Sequence, residues 1–223
     1  MPDRSCDAVL LDIDGTLVDT NYLHIDAWSR ALEEVGRPAA AWRIHRAIGM
    51  DSGRLLQDLL GDDVDRLGDD AKARHGEHYG RDRDRMRAFD GAQDLLRTLA
   101  ERGFQVVLAT SAPQEEFDAL MDVLQPGDTV ATVTTAQDVE TAKPEPDVVR
   151  VALERAGVDA DRAVMVGDSV WDVESAKRAG VRCIGVRSGG VSAAELRQTG
   201  AVEVYDDAGE LLRHLDDGPL YER

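Results

Sequence analysis

Cys6-Asp7-Ala8-Val9-Leu10-Leu11-Asp12-Ile13-Asp14-Gly15-Thr16 is the stretch on which the fold turns. Its first half is a short apolar, β-rich run. Its second half brings a glycine and two carboxylates that a continuing buried strand would not hold, so a strand followed by a loop is expected. From Tyr22 to about Tyr79 nothing resembles a strand: Leu23, Ala27, Ala31, Leu32 and Val35 recur at helical spacing, with breaks predicted near Gly36, Gly49, Gly61 and Gly68. Past Asp90-Gly91 the two patterns alternate. Helices are predicted over 92–102, 113–124, 146–156, 170–179, 192–199 and 207–215, and strands over 104–109, 130–134, 163–166, 181–186 and 201–204. Such alternation predicts an α/β fold, a Rossmann-like parallel sheet with right-handed crossovers. Because the first strand stands alone ahead of the helical segment, residues 18–90 read as a helical insertion into a core domain made of 1–17 and 91–223.

Charge narrows the partners. The 223 residues carry 44 acidic and 26 basic side chains, a net charge of −18, which repels nucleic acid and anionic membrane surfaces alike. No apolar stretch approaches the ~20 residues of a membrane helix. Met1-Pro2-Asp3-Arg4-Ser5 lacks the apolar core of a secretory signal. A soluble cytoplasmic protein, monomer or homodimer, is the expectation. Cys6 and Cys183 each sit in an apolar run, as buried reduced thiols do, rather than in a disulfide framework or zinc site. The basic residues divide into 23 Arg and 3 Lys (Lys72, Lys143, Lys177), which marks Lys143 as a lysine kept for its chemistry. Segment 18–90, with 15 acidic and 12 basic residues, is nearly neutral, so the negative surplus lies in the rest of the chain.

Ligands of an open parallel sheet bind beyond the carboxyl ends of its strands. Those ends are polar here: Asp12 and Asp14 after the first strand, Thr110 and Ser111 after the second, and Gly167-Asp168-Ser169 after the strand at 163–166, with Lys143 on the approach to the helix at 146–156. Carboxylates gathered there would repel one another by about 1 kcal/mol per pair at 4 Å in water and several-fold more in a drier pocket. A divalent cation relieves that, and oxygen donors without histidine or cysteine select Mg2+. Lys143 and the amides after Pro113 then add positive potential for an anion. Together these groups describe a phosphoryl site.

Asp12-Ile13-Asp14-Gly15-Thr16-Leu17-Val18, Thr110, Lys143 in Lys-Pro-Glu-Pro, and Gly167-Asp168-Ser169-Val170-Trp171-Asp172 resemble, in order and spacing, the four motifs of the haloacid dehalogenase superfamily. The insertion after the first motif is similar to the small helical cap of the subclass that holds phosphoglycolate phosphatases and β-phosphoglucomutases. That resemblance implies Asp12 as nucleophile, Asp14 as general acid and base, and Thr110 and Lys143 as partners of the phosphoryl group. It also implies Mg2+ on Asp12, the Asp14 backbone carbonyl and Asp168, supported by Asp172. Gly15 and the Ser111 amide would meet phosphoryl oxygens of a small phosphorylated metabolite. Members that cleave carbon–halogen bonds lack a carboxylate two residues after the nucleophile, so Asp14 argues for a phosphate ester. A mutase would share every one of these residues, and a non-catalytic phosphometabolite-binding protein is the distant alternative.

In the insertion, His24 and Trp28 lie four apart on one helix face, a spacing that suits a helix packed on its neighbour. His24 is also a candidate substrate contact, as are Gly49, Met50 and Arg54 around the turn Ile48–Gly53. Asp138 is expected to brace the loop before Lys143, and Trp42 and Trp171 to serve packing.

Overall fold

The computed structural model describes residues 4–139, 141 and 143–221, which fold as two compact units, Met1–Asp19 with Arg87–Arg223 and Thr20–Met86. The larger unit is a six-stranded, all-parallel sheet: β1 (Ala8–Leu11), β2 (Gln105–Ala109), β3 (Thr132–Thr134), β4 (Ala163–Gly167), β5 (Arg182–Val186) and β6 (Glu203–Tyr205), in spatial order β3-β2-β1-β4-β5-β6. Every β1 side chain is buried, because helices cover both faces of a parallel sheet and the strand must be apolar on both. Alternate residues Ala8 and Leu10 of β1, Val107 and Ala109 of β2, and Ala163 and Met165 of β4 form one core. Val148, Val149 and Ala152 join that core, and so do Val173 with Ala176 and Leu196. The order reverses between β1 and β4, the switch point at which an open α/β sheet leaves a crevice.

Most edges fall within two residues of expectation. β6 begins two residues late because Val202 donates its N–H to Cys183 O before the ladder proper starts, with Val204 opposite Gly185. The last predicted helix stops at Arg213, and Leu215–Asp217 follows as a single tight turn.

The smaller unit contains four helices, α1 (Asn21–Glu34), α2 (Ala41–Ala47), α3 (Ser52–Leu60) and α4 (Val64–Arg81). Ile25, Trp28, Ala31 and Leu32 of α1 pack with Ile44, Leu55, Leu56, Leu59 and Ala71 in a core of their own. Gly68 is not the expected break. It lies inside α4, where an added Cβ would meet Val64 and Leu56 only at ordinary contact distances. Trp42, expected to pack, is 68% exposed. Among the described residues no helix is long and apolar enough to cross a membrane.

Candidate active site

The site grows out of strand ends. Asp12 follows β1 directly and its N–H donates to Val166 O of β4 (3.0 Å), so the chain at the switch point is still held by sheet hydrogen bonds. The next residues turn sharply: the N–H groups of Thr16, Leu17 and Val18 all reach Ile13 O, and Gly15, at φ +74°, donates to Val18 O. A positive φ there favours glycine. Across the switch point, β4 delivers Asp168 and then the helix α8 (Val170–Ala179; the fifth, sixth and seventh helices are Ala92–Glu101, Gln114–Leu124 and Asp147–Ala156). Ser169 caps α8 in a reciprocal box: its hydroxyl accepts from Asp172 N (3.2 Å), while Asp172 Oδ2 accepts from Ser169 N (3.0 Å) and Oγ (2.6 Å). Gly167 permits this, because a Cβ there would overlap the Asp172 side chain.

Lys143 closes the group. Its Nζ lies 2.5 Å from Asp12 Oδ1 and 2.7 Å from Asp172 Oδ1, with all three residues buried. Its peptide to Pro144 is cis. The Thr16 hydroxyl donates to Asp168 Oδ1 (3.0 Å) and stands 3.4 Å from Asp12 Oδ2. Burial works to lower the Lys143 pKa, yet the Asp12 and Asp172 carboxylates outweigh it and hold the ammonium above the ordinary lysine range. Burial likewise pushes the Asp12 carboxyl up to about 7, against the pull of Lys143 and with the repulsion of Asp172 and Asp14 added.

Among the described residues, Asp12, Asp168 and Asp172 gather with one carboxylate oxygen each within 4.8 Å of the others. Three buried carboxylates against one ammonium leave negative charge uncompensated, and every donor is a hard oxygen. A divalent cation of the Mg2+ kind fits that donor set. Lys143 and Ser169 engage the two Asp172 oxygens, as Lys143 and Thr16 engage those of Asp12.

Thr110 extends β2, donates its N–H to Thr134 O and accepts from Ala112 N through its hydroxyl (3.0 Å). Leu11 pairs with Leu108, which puts Ala109, the last residue of β2, level with Asp12 and Thr110 one residue beyond it. The Ser111 hydroxyl is buried without a protein partner. Asp14 is half-buried on the β1 turn. Asp138 accepts from Thr135 N (2.8 Å) and Arg155 (2.5 Å); these bonds, Arg155 foremost, hold its carboxyl down to about 2 and fit a bracing part.

The insertion residues divide. His24 is engaged within the helix pair, its Nδ1 3.0 Å from His75 Nε2 and its ring stacked on Tyr79 at 3.9 Å, while Trp28 stacks on His75 at 4.1 Å. Gly49 (φ +93°), Met50 and Arg54 share the turn into α3, which Asp51 caps by accepting from Gly53 N and Arg54 N. Met50 packs on the helical core. Nothing in the sequence sets Thr16 apart within its motif, and the turn Gly167-Asp168-Ser169 reads with Asp168 as the helix cap, a part that Ser169 takes instead.

A family model described as haloacid dehalogenase-like hydrolase matches residues 9–186. A phosphoglycolate phosphatase of Rhodospirillum rubrum is 34% identical over 214 residues, covering 92% of this chain and 88% of that protein. The pyrophosphatase PpaX of Bacillus velezensis is 27% identical over 186 residues, 83% of this chain and 85% of its own length. Among solved structures, a hydrolase from Pseudomonas syringae superposes with a TM-score of 0.90 at 34% identity, covering 94% of this chain and 98% of that one. With the strand-end carboxylates, the lysine between them and these likenesses in hand, the chain belongs to the haloacid dehalogenase-like hydrolases and is a phosphatase of that family.

Proposed function

We propose that the protein hydrolyses a small-metabolite phosphomonoester in two steps with Asp12 as nucleophile, and that phosphoglycolate, the substrate named for its Rhodospirillum rubrum relative, is the first ester to test. The observation that carries this is the Asp12 carboxylate held 2.5 Å from the buried Lys143 ammonium at the β1–β4 switch point, beside Asp168. In the first step an Asp12 oxygen attacks phosphorus, the bond from phosphorus to the leaving oxygen breaks, and Asp14 gives its proton to the departing alcohol. In the second, the Asp14 carboxylate takes a proton from water, which attacks the aspartyl-phosphate and releases phosphate and Asp12. Lys143 and the amides past Thr110 offset charge on the equatorial oxygens, a stabilisation that is mainly electrostatic and preorganised. Asp12, the Asp14 carbonyl and Asp168 would hold Mg2+, which would neutralise charge between the nucleophile and the phosphoryl group. Thr16 keeps the Asp168 carboxylate turned toward Asp12. The cytoplasm and a monomer or homodimer remain the proposed setting.

Phosphate release from a panel of phosphoglycolate, hexose phosphates, nucleoside monophosphates and pyrophosphate should require Mg2+. Asp12→Asn should lower it by at least about 10^3-fold with an unchanged circular dichroism spectrum. Turnover that survives that substitution would falsify the mechanism, and a rearranged sugar phosphate in place of free phosphate would identify a mutase.

A further inference from the structure

We infer that Ser188, which lies outside all four motifs, is a positioning residue for the Asp12–Asp14 turn: its hydroxyl clamps that turn from the far side of the switch point. The kinetic part of this inference rests on the phosphatase reading; the structural part does not.

Ser188 follows β5 and its Oγ donates to Gly15 O at 2.6 Å, across 173 residues of chain. Both partners are held. Arg187 N donates to Tyr205 O (3.0 Å), and Gly190 N donates to Arg187 O (2.9 Å), closing the turn that presents Ser188. On the receiving side, the backbone bonds inside the turn after β1 run among Ile13, Gly15, Thr16, Leu17 and Val18, and its ends are tied where Asp12 N donates to Val166 O and Leu17 O accepts from Phe89 N. Between those ends, the Ser188 hydroxyl holds the Gly15 carbonyl. Glycine at position 15 makes the dihedrals next to Asp14 the softest of the turn. Its carbonyl shares a peptide plane with Thr16, whose hydroxyl reaches Asp168 and Asp12. Fixing that one oxygen therefore restrains Asp14 on one side and the Thr16 bridge on the other. A group that orients catalytic side chains without touching the reacting atoms affects turnover more than ground-state binding.

The test compares Ser188→Ala and Ser188→Thr with Ser192→Ala, a change in the same loop that removes the cap of the helix Ala193–Thr199, where the Ser192 hydroxyl accepts from Glu195 N. On the best ester of the panel, Ser188→Ala should lower kcat about 3- to 10-fold with KM within about twofold, and Ser188→Thr should restore it. Hydrogen exchange of the peptide spanning residues 13–18 should quicken in Ser188→Ala alone. Ser192→Ala should lower the melting temperature and leave kcat in place. Unchanged kcat in Ser188→Ala overturns the inference, as does an equal kcat loss in Ser192→Ala, which would reduce the effect to loop stability. If the wild-type chain turns over no ester, the phosphatase reading fails, and the exchange of residues 13–18 still decides for or against the clamp.

Discussion

At the residue scale the largest single charge effect centres on Lys143. Its ammonium is 2% exposed and stands between Asp12 and Asp172, so removing it leaves two buried carboxylates facing each other. Breaking such a pair by deleting one partner costs about 3 to 5 kcal/mol. Lys143→Ala should therefore destabilise the metal-free protein by about 3 kcal/mol in urea titrations, and added Mg2+ should return part of it by compensating the same carboxylates. An identical loss with and without Mg2+ would contradict the charge account. The chemistry-bearing residues that could be read from sequence are those whose type is unusual where it stands: paired carboxylates closing an apolar strand, or one lysine in a chain of arginines. Thr16, Ser169 and Ser188 were not legible as site residues, because a hydroxyl within two residues of a glycine is ordinary turn composition and its partner lies more than 150 residues away for Thr16 and Ser188. Helical spacing did point to His24 and Trp28 as packing residues, but it could not show that both rings lean on His75.

At the scale of elements, that His75 contact gives the α1–α4 pair a pH dependence. Burial, then the charges of His24, His78 and Lys72, push the His75 imidazole down to about 2 from its ordinary 6.5. The unfolded chain thus binds a proton that the folded one refuses. Stability from this group is complete above about pH 6.5 and declines as the pH falls toward 2. Between about pH 7.5 and about pH 5 the parent should lose about 2 kcal/mol more than His75→Phe, measured as the difference between their melting curves. A parallel decline in both would place the effect elsewhere. Element type was legible nearly throughout, since strands buried on both faces read as apolar runs and helices as periodic ones. Boundaries were less so. Gly68 looks like a terminator but lies within α4, and the start of β6 is set by pairing with β5 rather than by its own residues.

At the scale of the whole molecule, alternation alone predicted parallel strands and where their ends would matter. It did not fix the order β3-β2-β1-β4-β5-β6, which depends on which neighbours each strand finds after folding. That order brings Asp12 and Asp168 together from 156 positions apart. A cation bound there ties the two halves of the sheet, so Mg2+ should raise the melting temperature in proportion to RT ln(1 + [Mg2+]/Kd). The rise should reverse with chelator and vanish in Asp168→Asn; a shift that persists in that variant would locate the cation elsewhere. One detail of the larger unit bears on how the chain is organised. Val18 bridges Ala88 in antiparallel fashion, Asp19 N donates to Arg87 O and Phe89 N donates to Leu17 O, so the outgoing and returning strands of the chain are stitched side by side. Those pairings set the spacing at which the chain leaves the larger unit and returns to it. An inserted segment of another length whose ends met at the same spacing would leave those bonds in place.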